Sequence, residues 1–287
     1  MKRGLTKSTK GDVNQFASSI RTNIYSIIYL SYLRVKKKVY LLVVLFSLGF
    51  GFVANGQYKK IAVLVYTSPD LWHNAPIPTA ITQFKELAEK HFMDLTWTQL
   101  ENSFKDDNLS KFSVLLFLHA NDTKLSKEQQ ESFKKFIQNG GGFVGIHATA
   151  VNDKSTEWFK KLVGRTFTSH PQQQTSVMSV VDTKFPATMH LPDRWVWTDE
   201  WHEFGEALTD DLHTLLTVDE STYVVKKGMG KNHPIAWYQE FDGGRSFYTG
   251  LGHIESLYND PLFLNHLFGG IYWAATGRGI VNNNSRQ

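Results

Sequence analysis

Four histidines of this 287-residue chain, His73, His119, His147 and His253, each follow a stretch with the pattern of a β-strand. Imidazole changes charge near neutral pH, so it can act as general acid, general base or metal ligand. His147 closes the run Gly140-Gly141-Gly142-Phe143-Val144-Gly145-Ile146, a glycine cluster followed by a short buried strand. His253 closes Tyr248-Thr249-Gly250-Leu251-Gly252, and Glu255 follows two residues later, where a carboxylate could orient the imidazole. Two or three imidazoles with a carboxylate would hold a divalent metal such as zinc and leave a position for water, with His73, His147 and His253 as the ligands. No HExxH-type spacing supports a metal, so metal-free acid–base catalysis stays open beside it.

The middle of the chain adds carboxylates and flat aromatic rings. Trp195, Trp197 and Trp201 lie close to Asp199, Glu200, His202 and Glu203. Indole faces pack against the C–H faces of sugar rings and carboxylates accept hydrogen bonds from hydroxyls, which makes a carbohydrate the expected small-molecule partner. Trp195 and Trp197 alternate, so they could equally be core residues of a strand. Asp199 and Glu200 are adjacent and on a strand would face opposite ways; Glu200 is favoured as the one that faces the site. Asp219 follows another strand. The catalytic candidates are therefore His147, His253, Glu200 and Asp219. Substrate contacts are expected from His73, Trp201, Asp199, Glu255, His233 and Arg245, while His170 and His233, each before proline, sit in loops that could cover the crevice.

Histidines at strand ends converge only if the strands run parallel in one sheet, and the pattern supports this. Residues 60–66, 93–98, 113–118 and 142–146 read as near-continuous apolar strands, separated by helical patterns at 78–91 and from Ser126 to Asn139. Ser126 with Gln129 has the form of a capping box. Such β-α-β-α order implies a parallel sheet covered by helices on both faces. Ligands of open α/β sheets bind at the carboxyl ends of the strands, where these histidines stand. Residues 175–181 and 214–218 are strand-like pieces among loops. Residues 234–241 and 245–250 flank Asp242-Gly243-Gly244 as a hairpin expected at an antiparallel edge. A last helix runs over 260–275, with Pro261 in its first turn and Gly277 past its end.

Charge is unevenly distributed along the chain. Nine of the 31 Lys/Arg residues and one acid, Asp12, lie in residues 1–56, so residues 57–287 carry about −4 although the whole chain is +4. With no basic patch or stripe on the body, nucleic-acid binding is excluded. Lys36-Lys37-Lys38 precedes an uncharged apolar run over 39–53 and then Ala54-Asn55-Gly56, the form of a signal peptide cleaved before Gln57. That run is shorter than the ~20 residues needed to span a bilayer. The expectation is export to the periplasm or beyond, with membrane contact only through the signal peptide and one domain over 57–287. Residues 1–34 exceed an ordinary n-region and leave Val35 as a candidate initiator. The chain has no cysteine, which removes thiolate catalysis and thiolate metal sites.

Taken together, Phe143-Val144-Gly145-Ile146-His147-Ala148, Asp199-Glu200-Trp201, Val218-Asp219-Glu220-Ser221, His233-Pro234-Ile235-Ala236-Trp237 and the run from Gly244 to His253 resemble the ThuA-like, or trehalose-utilisation, family over about 60–278. The resemblance implies a class I glutamine-amidotransferase-like (flavodoxin-like) α/β fold. In that fold the position of His147 would carry the nucleophilic cysteine, so glutaminase activity is not expected. It also implies carbohydrate catabolism, particularly of keto-disaccharides and glycosides. Two functions follow: an exported enzyme with isomerase, lyase or hydrolase chemistry, or a non-catalytic sugar-binding protein on the same scaffold.

Overall fold

The structure is a computed structural model that describes residues 60–68 and 70–279, together with Tyr32 and residues 34–36, which are helical. The chain divides into two units at Lys59/Lys60. The signal-peptide reading falls on the first and lies outside the described residues apart from Val35 and Lys36. Among the described residues no helix is long and apolar enough to cross a membrane.

The second unit opens with strand β1 (Ile61–Thr67), helix α1 (Pro76–Lys90) and β2 (Met93–Thr98). A short helix α2 (Asp106–Leu109) leads to β3 (Val114–Leu118), α3 (Lys127–Gln138), β4 (Gly142–Ile146) and α4 (Glu157–Val163). Six short or medium strands follow: β5 (Phe167–Ser169), β6 (Gln174–Val180), β7 (Arg194–Asp199), β8 (Glu203–Phe204), β9 (His213–Val218) and β10 (His233–Phe241). The unit closes with β11 (Gly244–Thr249) and helix α5 (Pro261–Thr276).

Nine strands form one sheet in the order β2-β1-β3-β4-β11-β10-β9-β6-β7, while β5 and β8 pair separately. The first five run parallel and the remainder antiparallel. The parallel part has flavodoxin-like order, with its switch point between β1 and β3. This is the α/β class expected from the sequence. The β10–β11 hairpin differs from expectation by lying inside the sheet. An unpaired β10 would leave a row of free N–H and C=O groups, and β9, β6 and β7 extend the sheet past it.

Every residue of β3 and β4 is buried, as two covered faces require. On one face Phe117 and Phe143 meet Phe133 of α3 and Phe159 of α4, with ring centroids 5.3–5.9 Å apart. On the other, Phe247 of β11 lies against α5, where a Cβ on Gly270 would meet its ring at 2.4 Å. Fixed helix ends hold these layers. Ser126 accepts the Gln129 amide while the Gln129 side chain accepts the Ser126 amide, completing the expected capping box. Asp260 likewise accepts the amides of Leu262 and Phe263 at the start of α5.

Candidate functional site

The strand ends are shaped to present imidazoles. His119 after β3 and His147 after β4 both have φ of 51°, a left-handed backbone that costs a non-glycine residue on the order of 1–3 kcal/mol. The reversal turns each side chain back over the carboxyl edge of the sheet. His147 begins a 3-10 turn whose Thr149 hydroxyl donates to the carbonyls of Phe117 and Ile146, tying that turn to β3 and β4. His73 belongs to the loop after β1, where Asp70 accepts the amides of Trp72 and His73 and the His73 Nδ1–H at 2.9 Å. His253 follows β11.

The carboxylate that meets them comes from the far edge of the sheet. Trp195 and Trp197 of β7 are buried and pair at 4.4 Å, and Trp197 packs on Phe263 of α5 at 5.7 Å. Both indoles are thus core residues, and β7 is drawn back over α5. Asp199, in phase with them and fully buried, accepts the amides of Gly252 (2.7 Å) and His253 (3.2 Å). The next residue, Glu200, reaches the imidazoles.

Glu200 is the hub of the site. Its Oε2 lies 3.4 Å from His147 Nε2, 3.3 Å from His202 Nε2 and 3.6 Å from His253 Nδ1, and its Oε1 lies 3.2 Å from His170 Nδ1. His147 Nε2 and His253 Nδ1 face one another at 3.2 Å. One ligand atom from each of His73, His147, Glu200 and His253 falls within 4.8 Å of the others. The proton positions follow from the outer contacts. His147 Nδ1 lies 2.7 Å from the Gly250 carbonyl, which can only accept, so Nδ1 carries hydrogen and Nε2 faces inward, as a lone pair when the ring is neutral and as a donor to Glu200 when it is protonated. Asp70 fixes His73 in the same tautomer. Ligating histidines are oriented in this way by carbonyl or carboxylate partners. Inward lone pairs beside a carboxylate oxygen repel unless a proton or a cation lies between them, and an N₃O set of this kind fits zinc or a similar divalent ion.

The electrostatics hold Glu200 ionised and disfavour the charged forms of His73, His119, His202 and His253. Burial opposes ionisation of Glu200, but hydrogen bonds from His147 and His202 and the charges of His147 and His253 outweigh it and hold the carboxyl far below its ordinary range. Burial, reinforced by the charge of His147, pushes His253 down to about 4 and His73 below its usual value. His119 and His202 move well below theirs for the same two reasons. Burial raises Asp199 despite the His147 charge and its amide donors. Both ring nitrogens of His119 and Nδ1 of His202 are buried and make no hydrogen bond among the described residues. His119 stacks on His73 at 5.3 Å and meets His147 edge-on at 5.5 Å.

Of the sequence candidates, His73, His147, His253 and Glu200 come together, with Asp199 directly behind them. Glu255 does not join them: it accepts the Thr79 hydroxyl at 2.5 Å and ties the loop after β11 to α1, while Glu200 stands beside His253. Asp219 caps the turn after β9 through Ser221, faces Arg194 at 3.4 Å and lines a different cavity with Ser179 and Lys231. His233 is buried, bonded to Glu220 and to the His202 carbonyl, so it braces a loop. Trp201 is fully buried and donates to the Gln174 carbonyl, leaving no face for a sugar. Arg245 begins β11, the opposite end of that strand from His253, and donates to the carbonyls of Ala274 and Gly140. His202, beside Glu200, and Asp70, beside His73, join the site in addition to the sequence candidates. His202 stands two residues after Glu200 with no periodicity to mark its direction; Asp70 three residues before His73 offered a turn signal.

Comparison with known proteins agrees with this architecture. A ThuA-like protein from Bacteroides uniformis is 24% identical, with a TM-score of 0.66 over 79% of this chain and 98% of its own. Another from Parabacteroides merdae is 20% identical, with a TM-score of 0.65 over 78% and 93%. A search of curated protein sequences found no match. The sequence profile of the ThuA family, described as trehalose utilisation, matches residues 62–274. A chain matched over that length, with these folds as its neighbours, belongs to the ThuA family.

Proposed function

We propose that this chain is an exported, metal-dependent enzyme of carbohydrate breakdown whose substrate is a keto-sugar or glycoside. One observation carries the reading: three imidazoles and Glu200 converge within 4.8 Å while the outer nitrogens of His73 and His147 are already engaged. His73, His147, Glu200 and His253 would hold the ion. When bound, it supplies a Lewis acid that polarises a carbonyl or lowers the pKa of water. The remaining chemistry belongs to the side chains around it. His170 is half-buried and its Nδ1 lies 2.8 Å from the Pro171 carbonyl, so Nε2 carries a lone pair able to take a proton. Carbon next to a ketone is acidic enough for such a base, which suits isomerisation or elimination. His202, donating to Glu200, keeps the carboxylate fixed.

The test uses the whole chain stripped of metal, then reloaded with zinc or manganese, and supplied with disaccharides and their 3-keto forms. Reloading should restore turnover of a keto-sugar. His147→Ala and Glu200→Gln should abolish it and reduce bound metal measured by mass spectrometry. Sugar binding without turnover under every metal condition would replace the enzyme with a carbohydrate-binding protein. Glutamine hydrolysis is not expected, since the chain has no cysteine.

A further inference from the structure

Beside the loop that carries His73, a cavity of about 400 Å³ opens between the first half of α1 and the carboxyl end of β2. Its wall begins at Asn74, the residue after His73, and continues through Ile77, Ile81, Thr82, Trp97 and Gln99. The volume falls in the ~300–1,000 Å³ range of small-molecule sites. Trp97 is 45% exposed, unlike the buried tryptophans of β7, and its indole N–H donates to the Thr67 hydroxyl at 2.9 Å. The ring is thereby held in place with one side open. Thr67 ends β1, so the same strand end anchors the indole and leads into the His73 loop. That loop also carries Trp72, 80% exposed, whose amide Asp70 fixes together with that of His73. A fixed aromatic face bordered by amide and hydroxyl groups suits a ring with apolar C–H faces and a polar rim. Asn74, Lys85 and Gln99 put polar groups on its rim, while the Thr82 hydroxyl donates to the Pro78 carbonyl at 3.0 Å.

We propose that this cavity is an outer sugar subsite, resting on the reading of the imidazole cluster as the reacting centre for a carbohydrate. It holds the second ring of a disaccharide-like substrate. Trp97 lies under the C–H face of that ring, Trp72 borders the path to His73, and Asn74 and Gln99 take its hydroxyls. The reacting ring occupies the cluster and the leaving ring occupies the cavity.

Calorimetric titration of the full chain with trehalose and with glucose tests this, alongside the turnover assay on keto-disaccharides. Loss of an aromatic platform should weaken trehalose about 10-fold in Trp97→Ala and leave glucose unchanged. KM for the keto-disaccharide should rise with little change in kcat and in metal content. Trp97→Phe keeps a ring face and should bind trehalose nearly as the parent does, which separates stacking from misfolding. Equal trehalose affinity in parent and Trp97→Ala overturns the subsite while leaving the reacting centre standing. Equal weakening of both sugars also overturns it. A parent chain that binds neither sugar overturns both the subsite and the carbohydrate reading.

Discussion

Asp199 accepts the backbone N–H of His253 at 3.2 Å and that of Gly252 at 2.7 Å, so the buried end of β7 fixes the loop after β11. Asp199→Ala would take this partner from the amides of Gly252, His253 and Glu200, each costing ~1–3 kcal/mol where it stays buried and unpaired. The variant should lose about 2–5 kcal/mol in urea denaturation. It should also loosen His253 and lower metal retention. Asn keeps one acceptor oxygen but turns an NH₂ toward the second amide, so Asp199→Asn should fall between parent and Ala. Unchanged stability in the Ala variant would mean that water replaces the carboxylate.

Acid should weaken the fold above the range in which carboxylates protonate. His266 is fully buried between Ala187 and Thr249, and burial pushes it down to about 4 against the lifting effect of the Ala187 carbonyl. The unfolded chain takes up this proton near pH 6.5 and the folded chain does not. Stability is therefore fully present above pH 6.5 and falls as the pH drops toward 4. His266 alone should account for about 2 kcal/mol between pH 7 and pH 5. His119 and His202 act in the same direction. Denaturant midpoints at the two pH values measure the drop, which His266→Gln should reduce.

His119→Phe should leave the melting temperature unchanged or raise it. The parent buries two ring nitrogens with no partner among the described residues, and the substitution removes them while keeping a ring to stack on His73. An unpaired buried polar group costs ~1–3 kcal/mol, which offsets the tighter fit of the larger ring. A marked drop would reveal ordered water or a bound group on those nitrogens. Thermal melts with and without added zinc separate the two cases.

Arg245→Ala should destabilise without touching the site. Its guanidinium closes the last turn of α5 through the Ala274 carbonyl at 2.8 Å and joins it to Gly140 at 2.7 Å. Loss of these bonds should cost about 1–3 kcal/mol by chemical denaturation. Metal content and sugar binding should stay at parental levels, making this variant a control for the others. A coupled loss of binding would connect the two ends of β11.

The parallel half of the fold was legible because its strands are apolar on both sides and end in glycine, proline or histidine. His73, His147 and His253 could be grouped since parallel strands deliver their ends to one edge. Glu200 was harder. Its entry into the site depends on β7 curling back over α5, a tertiary event driven by Trp197 and Phe263 that residue spacing does not encode. For the same reason Asp219 and Arg245 looked equivalent to site residues. Each follows or lies in a strand, but Asp219, at the carboxyl end of β9, is taken up by its own turn through Ser221 and by Arg194, and Arg245 enters β11 at the opposite end from His253. Trp201 is fully buried, whereas Trp72 and Trp97, outside that cluster, are exposed.

The four residues that converge, His73, His147, Glu200 and His253, lie far apart along the chain, on segments from both the parallel and the antiparallel parts of the sheet. No short fragment contains them all. The site can therefore exist only after the last strand pairs and β7 swings over α5. An ion captured there would cross-link the first loop of the unit to the last and resist opening of every strand between. Occupancy would then act as a completion signal: partly folded chains stay empty, while finished chains gain a non-covalent clasp where cysteine-free sequences lack a covalent one.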